Sequence, residues 1–174
     1  MSVSDDAMSR LNQLNATSAE NELARCCGSR AWCQTMVASR PFEDRSQMHE
    51  AAELAFNRLQ TEDWLEAFEC HPKIGDIQSL RMKYAGNREW SAGEQAGVID
   101  SEEAILVKLA EGNAAYEAKN GFIFIVCATG KSAGEMWEML QARLKNDREA
   151  EIRNAAAEQR KITHLRIDKW EPQA

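Results

Sequence analysis

The sequence lacks the features that are typical of secreted and membrane proteins. Its 174 residues include only 3 prolines and 9 glycines, and 7% of the chain is aromatic. No run of about 18 apolar residues occurs, so no membrane-spanning helix is expected. Residues 1–6 have neither the basic nor the apolar part of a secretory signal, and the last four residues are not a peroxisomal address. We therefore expect a cytoplasmic protein.

Basic residues are too few for a nucleic-acid-binding protein. The chain carries 21 basic against 28 acidic residues, a formal net charge of −7. Nucleic-acid binders normally present a basic face, and anionic membrane surfaces attract basic segments. The composition thus argues against nucleic acid and against a membrane surface as partners. The apolar fraction of 44% fits one hydrophobic core, which a chain of this length can form without disulfides.

The cysteines form no recognisable metal or disulfide pattern. There are five, an odd number, and none lies in a C-x-x-C pair: Cys26, Cys27, Cys33, Cys70 and Cys127. We expect reduced thiols that act as small core residues. With only three histidines in the chain, no metal site is expected.

Motifs for phosphate, dinucleotide and acyl-enzyme chemistry are absent as well. The sequence has no P-loop, no strand-linked G-x-G-x-x-G and no G-x-S-x-G. Any chemistry must therefore come from side chains scattered along the chain, without a large cofactor.

The pattern that is present is helical. Apolar residues recur every three or four positions over most of the chain, which predicts an all-α protein. Side chains that can cap a helix precede these stretches. The predicted helix starts are Thr17, Ser29, Thr61, Ser91, Ser101, Ser132 and Asp147. No repeat or linker divides the sequence, so we expect one multi-helix domain over residues 1–174.

One segment breaks the helical pattern. Residues 121–128 are β-branched and aromatic and lie between an Asn-Gly pair and Gly130, which predicts a buried extended segment. A single strand cannot form a sheet, so its backbone groups must find partners in loops, in a second subunit or in a ligand.

His71 is the first candidate for chemistry. Pro72 restricts the backbone that follows it and Gly75 permits a turn, so the imidazole would stand on a rigid loop. Histidine exchanges protons near neutral pH. The alternative interpretation, which local sequence favours, is a histidine that caps the preceding helix.

Two further places have both a functional and a structural interpretation. Ser91 and Glu94 have the spacing of a capping box, but a helix start also offers N–H groups to an anion, and Gln95 adds an amide able to bind a urea-like group. Arg166 lies between apolar neighbours, which suits two-pronged binding of a carboxylate, although a solvated helix face is the usual role of such arginines. We take His49 and His164 as packing or surface residues.

These stretches together resemble the OHCU decarboxylases, which act on 2-oxo-4-hydroxy-4-carboxy-5-ureidoimidazoline (OHCU) in urate degradation. The resemblance covers nearly the whole chain and rests on the following residues: Cys26-Cys27-Gly28-Ser29, Trp32, Arg40-Pro41-Phe42, His71 through Asp76, Ser91, Glu94-Gln95, Gly121-Phe122 to Ala128, Glu158, Lys161-Ile162 and Leu165-Arg166. It implies the all-helical fold of that family, a homodimer, and no metal or organic cofactor.

The resemblance also implies a set of site residues. His71 and Glu94 would be catalytic. The substrate would be bound by Pro72, Ser91, Gln95, Phe122, Ile123, Ile125, Cys127 and Arg166. The implied reaction forms S-allantoin and CO2. Two alternatives stay open: a hydrolase or racemase that acts on a ureide on the same scaffold, and a helical interaction module without catalysis.

Overall fold

The computed structural model describes residues 3–73, 76–84 and 96–173. Within these ranges the chain forms nine α-helices and no β-strand, which confirms the predicted all-helical class. The helices are α1 Val3–Gln13, α2 Ala16–Ala24, α3 Arg30–Ala38, α4 Arg45–Phe56, α5 Thr61–Glu69, α6 Ile77–Tyr84, α7 Ala96–Asn120, α8 Ala133–Leu144 and α9 Arg148–Lys169. None of these helices combines the length and the apolar character that crossing a membrane requires.

The chain divides into two compact units. The first consists of Met1–His71 with Ile152–Ala174, and the second of Pro72–Glu151. The single domain expected over residues 1–174 stays a prediction.

Several helices begin where the sequence predicts. The Ser29 hydroxyl accepts a hydrogen bond from Trp32 N at 3.3 Å and starts α3. At the start of α8, Ser132 and Glu135 form a complete capping box in which each side chain accepts from the other's backbone N–H. A cap satisfies N–H groups that have no partner inside the helix, so its position follows from local sequence.

Three predicted starts are wrong. The cap of α2 is Asn15 rather than Thr17, and the cap of α5 is Gln60, which pairs with Asp63. Ser101 opens no helix, because α7 already begins at Ala96 and continues through it. In each case a neighbouring residue is also able to cap or to continue the helix, so local propensity does not decide the boundary.

The first unit has an aromatic core that supports the end of α5. Helices α2, α4 and α5 pack against α3. The Trp32 and Phe56 rings stack with centroids 5.6 Å apart, and Phe56 stacks on Trp64 at 5.4 Å. Burying one such ring contributes roughly 1.5–3 kcal/mol or more. This packing holds α5 in place and therefore fixes where the chain emerges at His71.

In the second unit, α7 packs closely against α6 and α8. A side chain at Gly112 on α7 would place its Cβ 2.7 Å from Leu140 on α8, so glycine permits this close approach. At the end of α7, Gly121 takes φ +79°, and its N–H donates to Glu117 O at 2.8 Å. A left-handed glycine of this kind ends a helix without strain. It starts the irregular segment 121–128, which is neither helix nor strand.

Candidate active site

His71 stands directly after the last turn of α5. Cys70 caps that helix, and the backbone N–H of His71 donates to Phe68 O at 3.2 Å. The imidazole is half-buried. The predicted placement of this histidine, on a turn at a helix end, is therefore what the structure shows.

The side chain of His71 does not cap α5. Its Nε2 lies 2.5 Å from Oε1 of Gln159, which is on α9. Because the ring is hydrogen-bonded to another helix, the capping interpretation is wrong.

A chain of hydrogen bonds continues from Gln159 along α9. Gln159 Nε2 donates to Thr163 Oγ1 at 3.0 Å, and Thr163 Oγ1 donates to the carbonyl oxygen of Cys26 at 3.2 Å. Gln159 and Thr163 are fully buried. Arg166 donates from NH1 to the same carbonyl at 3.3 Å. Two of the predicted site residues, His71 and Arg166, are thereby joined through one network.

Sequence reasoning missed Gln159 and Thr163. The available signal was their spacing: positions 159, 163 and 166 differ by four and three, which places them on one face of a helix with Arg166. Polar residues on the face of a helix that carries a predicted site residue are therefore candidates for its network.

The surroundings of His71 lower its pKa below the ordinary histidine value. Burial is the largest cause, and the positive charge of Arg166 acts in the same direction, while the bond to Gln159 partly opposes them. At neutral pH the imidazole is therefore uncharged and able to accept a proton.

The other predicted site residues divide into two groups. Pro72, Phe122, Ile123, Ile125 and Cys127 belong to the second unit. Ser91, Glu94 and Gln95 lie outside the described residues, as do Ile74 and Gly75 of the predicted loop. Substrate binding by these residues and a catalytic role for Glu94 stay predictions.

Within the second unit, side chains bind two carbonyls of the irregular segment. Arg143 donates from NH1 to Ile125 O at 2.5 Å, and Lys131 donates from Nζ to Cys127 O at 2.9 Å. Two backbone carbonyls of the segment therefore have side-chain donors within the same unit, which the sequence did not reveal. Substrate binding by the segment would use its other backbone groups or the second lone pair of these carbonyls.

Arg143 itself is buried in a polar network. It is 8% exposed and donates from Nε to Glu151 Oε1 at 2.7 Å. The Tyr116 hydroxyl donates to the same carboxylate oxygen at 2.6 Å, and Asn146 Nδ2 donates to the other oxygen at 2.9 Å. The guanidinium also lies 4.7 Å from the centre of the Phe124 ring. The irregular segment is thus tied to α8 by a desolvated charge.

The other two histidines of the chain form a cluster in the first unit. His49 and His164 stack and share a hydrogen bond between their Nδ1 atoms at 2.6 Å. His49 Nε2 lies 2.7 Å from Asp168, and His164 Nε2 lies 2.6 Å from Glu53. Both histidines are half-buried and pack against each other, and the sequence did not show that they meet. The signal was a carboxylate four residues after each histidine.

Arg160 extends this cluster. Its NH1 lies 2.7 Å from Glu53, and its guanidinium lies 5.3 Å from the centre of the Phe56 ring. The side chain of Arg160 is therefore held by a carboxylate and by an aromatic ring.

The cysteines follow the prediction only in part. All five are free thiols. Burial raises the pKa of Cys26 to about 12 and that of Cys27 to about 11, and raises that of Cys33 as well, so these thiols are unreactive core residues. Cys70, however, is exposed, and the expectation of a core residue is wrong there. Among the residues that the structure describes, no three His, Cys, Asp or Glu side chains are placed to hold a metal ion.

Comparison with known proteins identifies the family. The family model for OHCU decarboxylase matches residues 12–168. The chain belongs to the OHCU decarboxylase family. It is 37% identical over 150 residues to a uric acid degradation bifunctional protein of Arabidopsis thaliana, a match that covers 86% of this chain and 46% of that protein.

Other members of the OHCU decarboxylase family agree with this assignment. A 2-oxo-4-hydroxy-4-carboxy-5-ureidoimidazoline decarboxylase of Xenopus laevis is 31% identical over 98 residues, covering 56% of this chain and 55% of that protein. The chain therefore spans about half the length of the curated relatives it matches. A crystal structure of OHCU decarboxylase in the presence of (S)-allantoin superposes with a TM-score of 0.68 at 36% identity, covering 86% of this chain and 96% of the other.

Proposed function

We propose that the chain decarboxylates OHCU to (S)-allantoin and CO2 as a step of urate degradation. Family membership and the likeness to an OHCU decarboxylase structure determined with (S)-allantoin support this proposal. The observation that carries it within the chain is His71, an uncharged imidazole that is held at a helix end and joined to Arg166 by a buried network.

The substrate supplies its own electron sink. The carbon that loses CO2 neighbours a ring C=N bond. The electron pair of the breaking carbon–carbon bond therefore forms a new double bond in the ring, while the π pair of the C=N bond moves onto the ring nitrogen, which takes up a proton. The ring is left with a carbon–carbon double bond that bears the hydroxyl. Loss of the hydroxyl proton then forms the product carbonyl, and the neighbouring carbon takes up a proton. A reaction of this kind needs orientation and charge stabilisation from the protein rather than an electron-accepting cofactor.

His71 is the residue that we assign to the hydroxyl group. With its pKa lowered, it is present as the base and accepts the hydroxyl proton as the carbonyl forms. Arg166 would bind an anionic or carbonyl oxygen of the substrate, since a guanidinium has five N–H donors and the Cys26 carbonyl engages NH1.

The remaining assignments follow the resemblance. Glu94 and Gln95 would bind the ring and ureido nitrogens, and Glu94 would relay a proton. Ser91, Pro72 and the backbone of residues 122–127 would complete the substrate site. Proton delivery to one face of the ring would make the product (S)-allantoin rather than the racemate.

Two further properties belong to this proposal. A homodimer is implied by the resemblance, and sedimentation of the purified chain tests it. A cytoplasmic location is supported by five free thiols, which a reducing compartment preserves.

The test is an assay with freshly prepared OHCU that follows both CO2 release and optical rotation. We expect the wild type to release CO2 and to form a single enantiomer of allantoin, which gives a measurable optical rotation. His71→Asn should abolish this activity and leave the helical circular dichroism unchanged. Turnover without CO2 would indicate a ureide hydrolase or racemase, and a wild type without turnover would indicate a binding module.

A further inference from the structure

We propose that Gln159 is a positioning residue that holds the imidazole of His71 with its proton on Nε2, so that Nδ1 is the nitrogen that accepts the substrate proton. The two side chains form a hydrogen bond in which His71 Nε2 and Gln159 Oε1 are 2.5 Å apart. The part of this proposal that concerns the substrate rests on the proposed function, whereas the position of the proton is a property of the chain alone.

The direction of the hydrogen bonds follows from the far end of the network. The carbonyl of Cys26 has no proton and can only accept, so the hydroxyl proton of Thr163 is used there. Thr163 Oγ1 must then accept from its other neighbour, which is Gln159 at 3.0 Å. The amide nitrogen of Gln159 therefore faces Thr163, and its oxygen faces His71.

Burial makes this direction stable. Gln159 and Thr163 are both fully buried, so water does not compete for their polar atoms. If the amide were turned by 180°, its oxygen would face Thr163, whose single hydroxyl proton cannot serve both Gln159 and the Cys26 carbonyl. The Cys26 carbonyl would then keep only Arg166 as its donor, and the network would contain one hydrogen bond fewer in a site closed to water, which is disfavoured.

An amide oxygen can only accept, so the imidazole must donate to it. At neutral pH the ring carries one N–H, because burial and the nearby Arg166 disfavour the charged form. Once that proton is on Nε2, the lone pair is on Nδ1. A side chain that selects the tautomer and orientation of a catalytic histidine acts on the turnover number without touching the substrate.

The direct test is nitrogen NMR of the histidine rings in the 15N-labelled chain. The chain has only three histidines, so the signals of His71 are assigned by their loss in His71→Asn. We expect a slowly exchanging ring proton on Nε2 in the wild type. Gln159→Leu should abolish its protection from exchange, and Gln159→Glu, which keeps an acceptor oxygen, should restore it. A ring proton on Nδ1 in the wild type, or an unchanged signal in Gln159→Leu, would overturn the proposal.

Kinetics with OHCU supply the second arm. Gln159→Leu should lower kcat about 10–100-fold with little change in KM, because a misoriented base costs rate rather than binding. Gln159→Glu should recover a several-fold part of the loss. Gln34→Leu is the matched control, since Gln34 is exposed on α3. Wild-type kcat in Gln159→Leu would contradict the inference.

A variant that fails to fold does not end the test. Thr163→Val keeps Gln159 but removes the hydroxyl that orients its amide, so the protection of the His71 ring proton should weaken in a folded chain. Full protection in Thr163→Val would also overturn the argument. If the wild type releases no CO2 from OHCU, the proposed function fails, yet the NMR result still decides the tautomer.

Discussion

Removal of Arg143 tests the buried network of the second unit. The Arg143→Met substitution keeps an unbranched apolar side chain of similar length but removes the guanidinium. Three of its interactions are lost: the bonds to Glu151 at 2.7 Å, to Ile125 O at 2.5 Å and to the Tyr116 hydroxyl at 3.3 Å. Glu151 is fully buried and would lose the guanidinium that faces its carboxylate.

The expected cost follows from the loss of that buried ion pair. Removing one partner of a buried ion pair typically lowers the free energy of unfolding by about 3–5 kcal/mol. Tyr116 and Asn146 still donate to the carboxylate, so we expect the lower end, about 3 kcal/mol. For a chain of this size that corresponds to a fall in Tm of roughly 6–12 °C.

The measurement is urea unfolding followed by circular dichroism, with a double-mutant cycle. The double variant Arg143→Met, Glu151→Gln removes both charges and should lose less stability than the sum of the single variants. Lys145→Met is a control, because it removes a cation near the end of α8 that has no place in this network. An Arg143→Met chain within about 1 kcal/mol of the wild type would refute the reasoning, since a desolvated carboxylate cannot lose its cation without cost.

The remaining predictions concern the first unit. Arg166→Lys should raise KM for OHCU about tenfold, because a point charge replaces a planar fork, and unchanged kinetics would remove Arg166 from the site. A plot of log kcat/KM against pH should rise and then level off, because His71 must be uncharged to act. The midpoint of the rise should lie below the ordinary histidine pKa of about 6.5, because the pKa of His71 is lowered. A midpoint above that value would contradict the role of His71. Arg166→Gln should move the midpoint upward, since it removes a cation that disfavours the imidazolium.

Much of the fold could be predicted because it is local. The caps at Ser29 and Ser132 depend on residues within one helical turn, and the structure places them as expected. The start of α7 shows the limit of this reasoning. Ser101 looks like a cap, but nothing in its neighbourhood tells whether a helix already runs through it.

The candidate site could be predicted only where its residues are unusual in themselves. The His71-Pro72 turn and Arg166 stand out from their neighbours, and the structure joins His71 to Arg166 through Gln159, Thr163 and the Cys26 carbonyl. Gln159 and Thr163 are ordinary helix residues whose meaning depends on what faces them.

By itself, the sequence determined the helical class, several helix boundaries, the family and the histidine on its turn, because each depends on contacts within a few residues or on a motif in order. Tertiary structure alone decided the partners of the buried polar groups: Gln159 for His71, Arg143 for Ile125, and His164 for His49. These pairs lie 88, 18 and 115 residues apart in the chain. A buried polar atom binds whichever donor or acceptor the packing of the helices brings within reach. A sequence pattern within a few residues cannot predict such a pair.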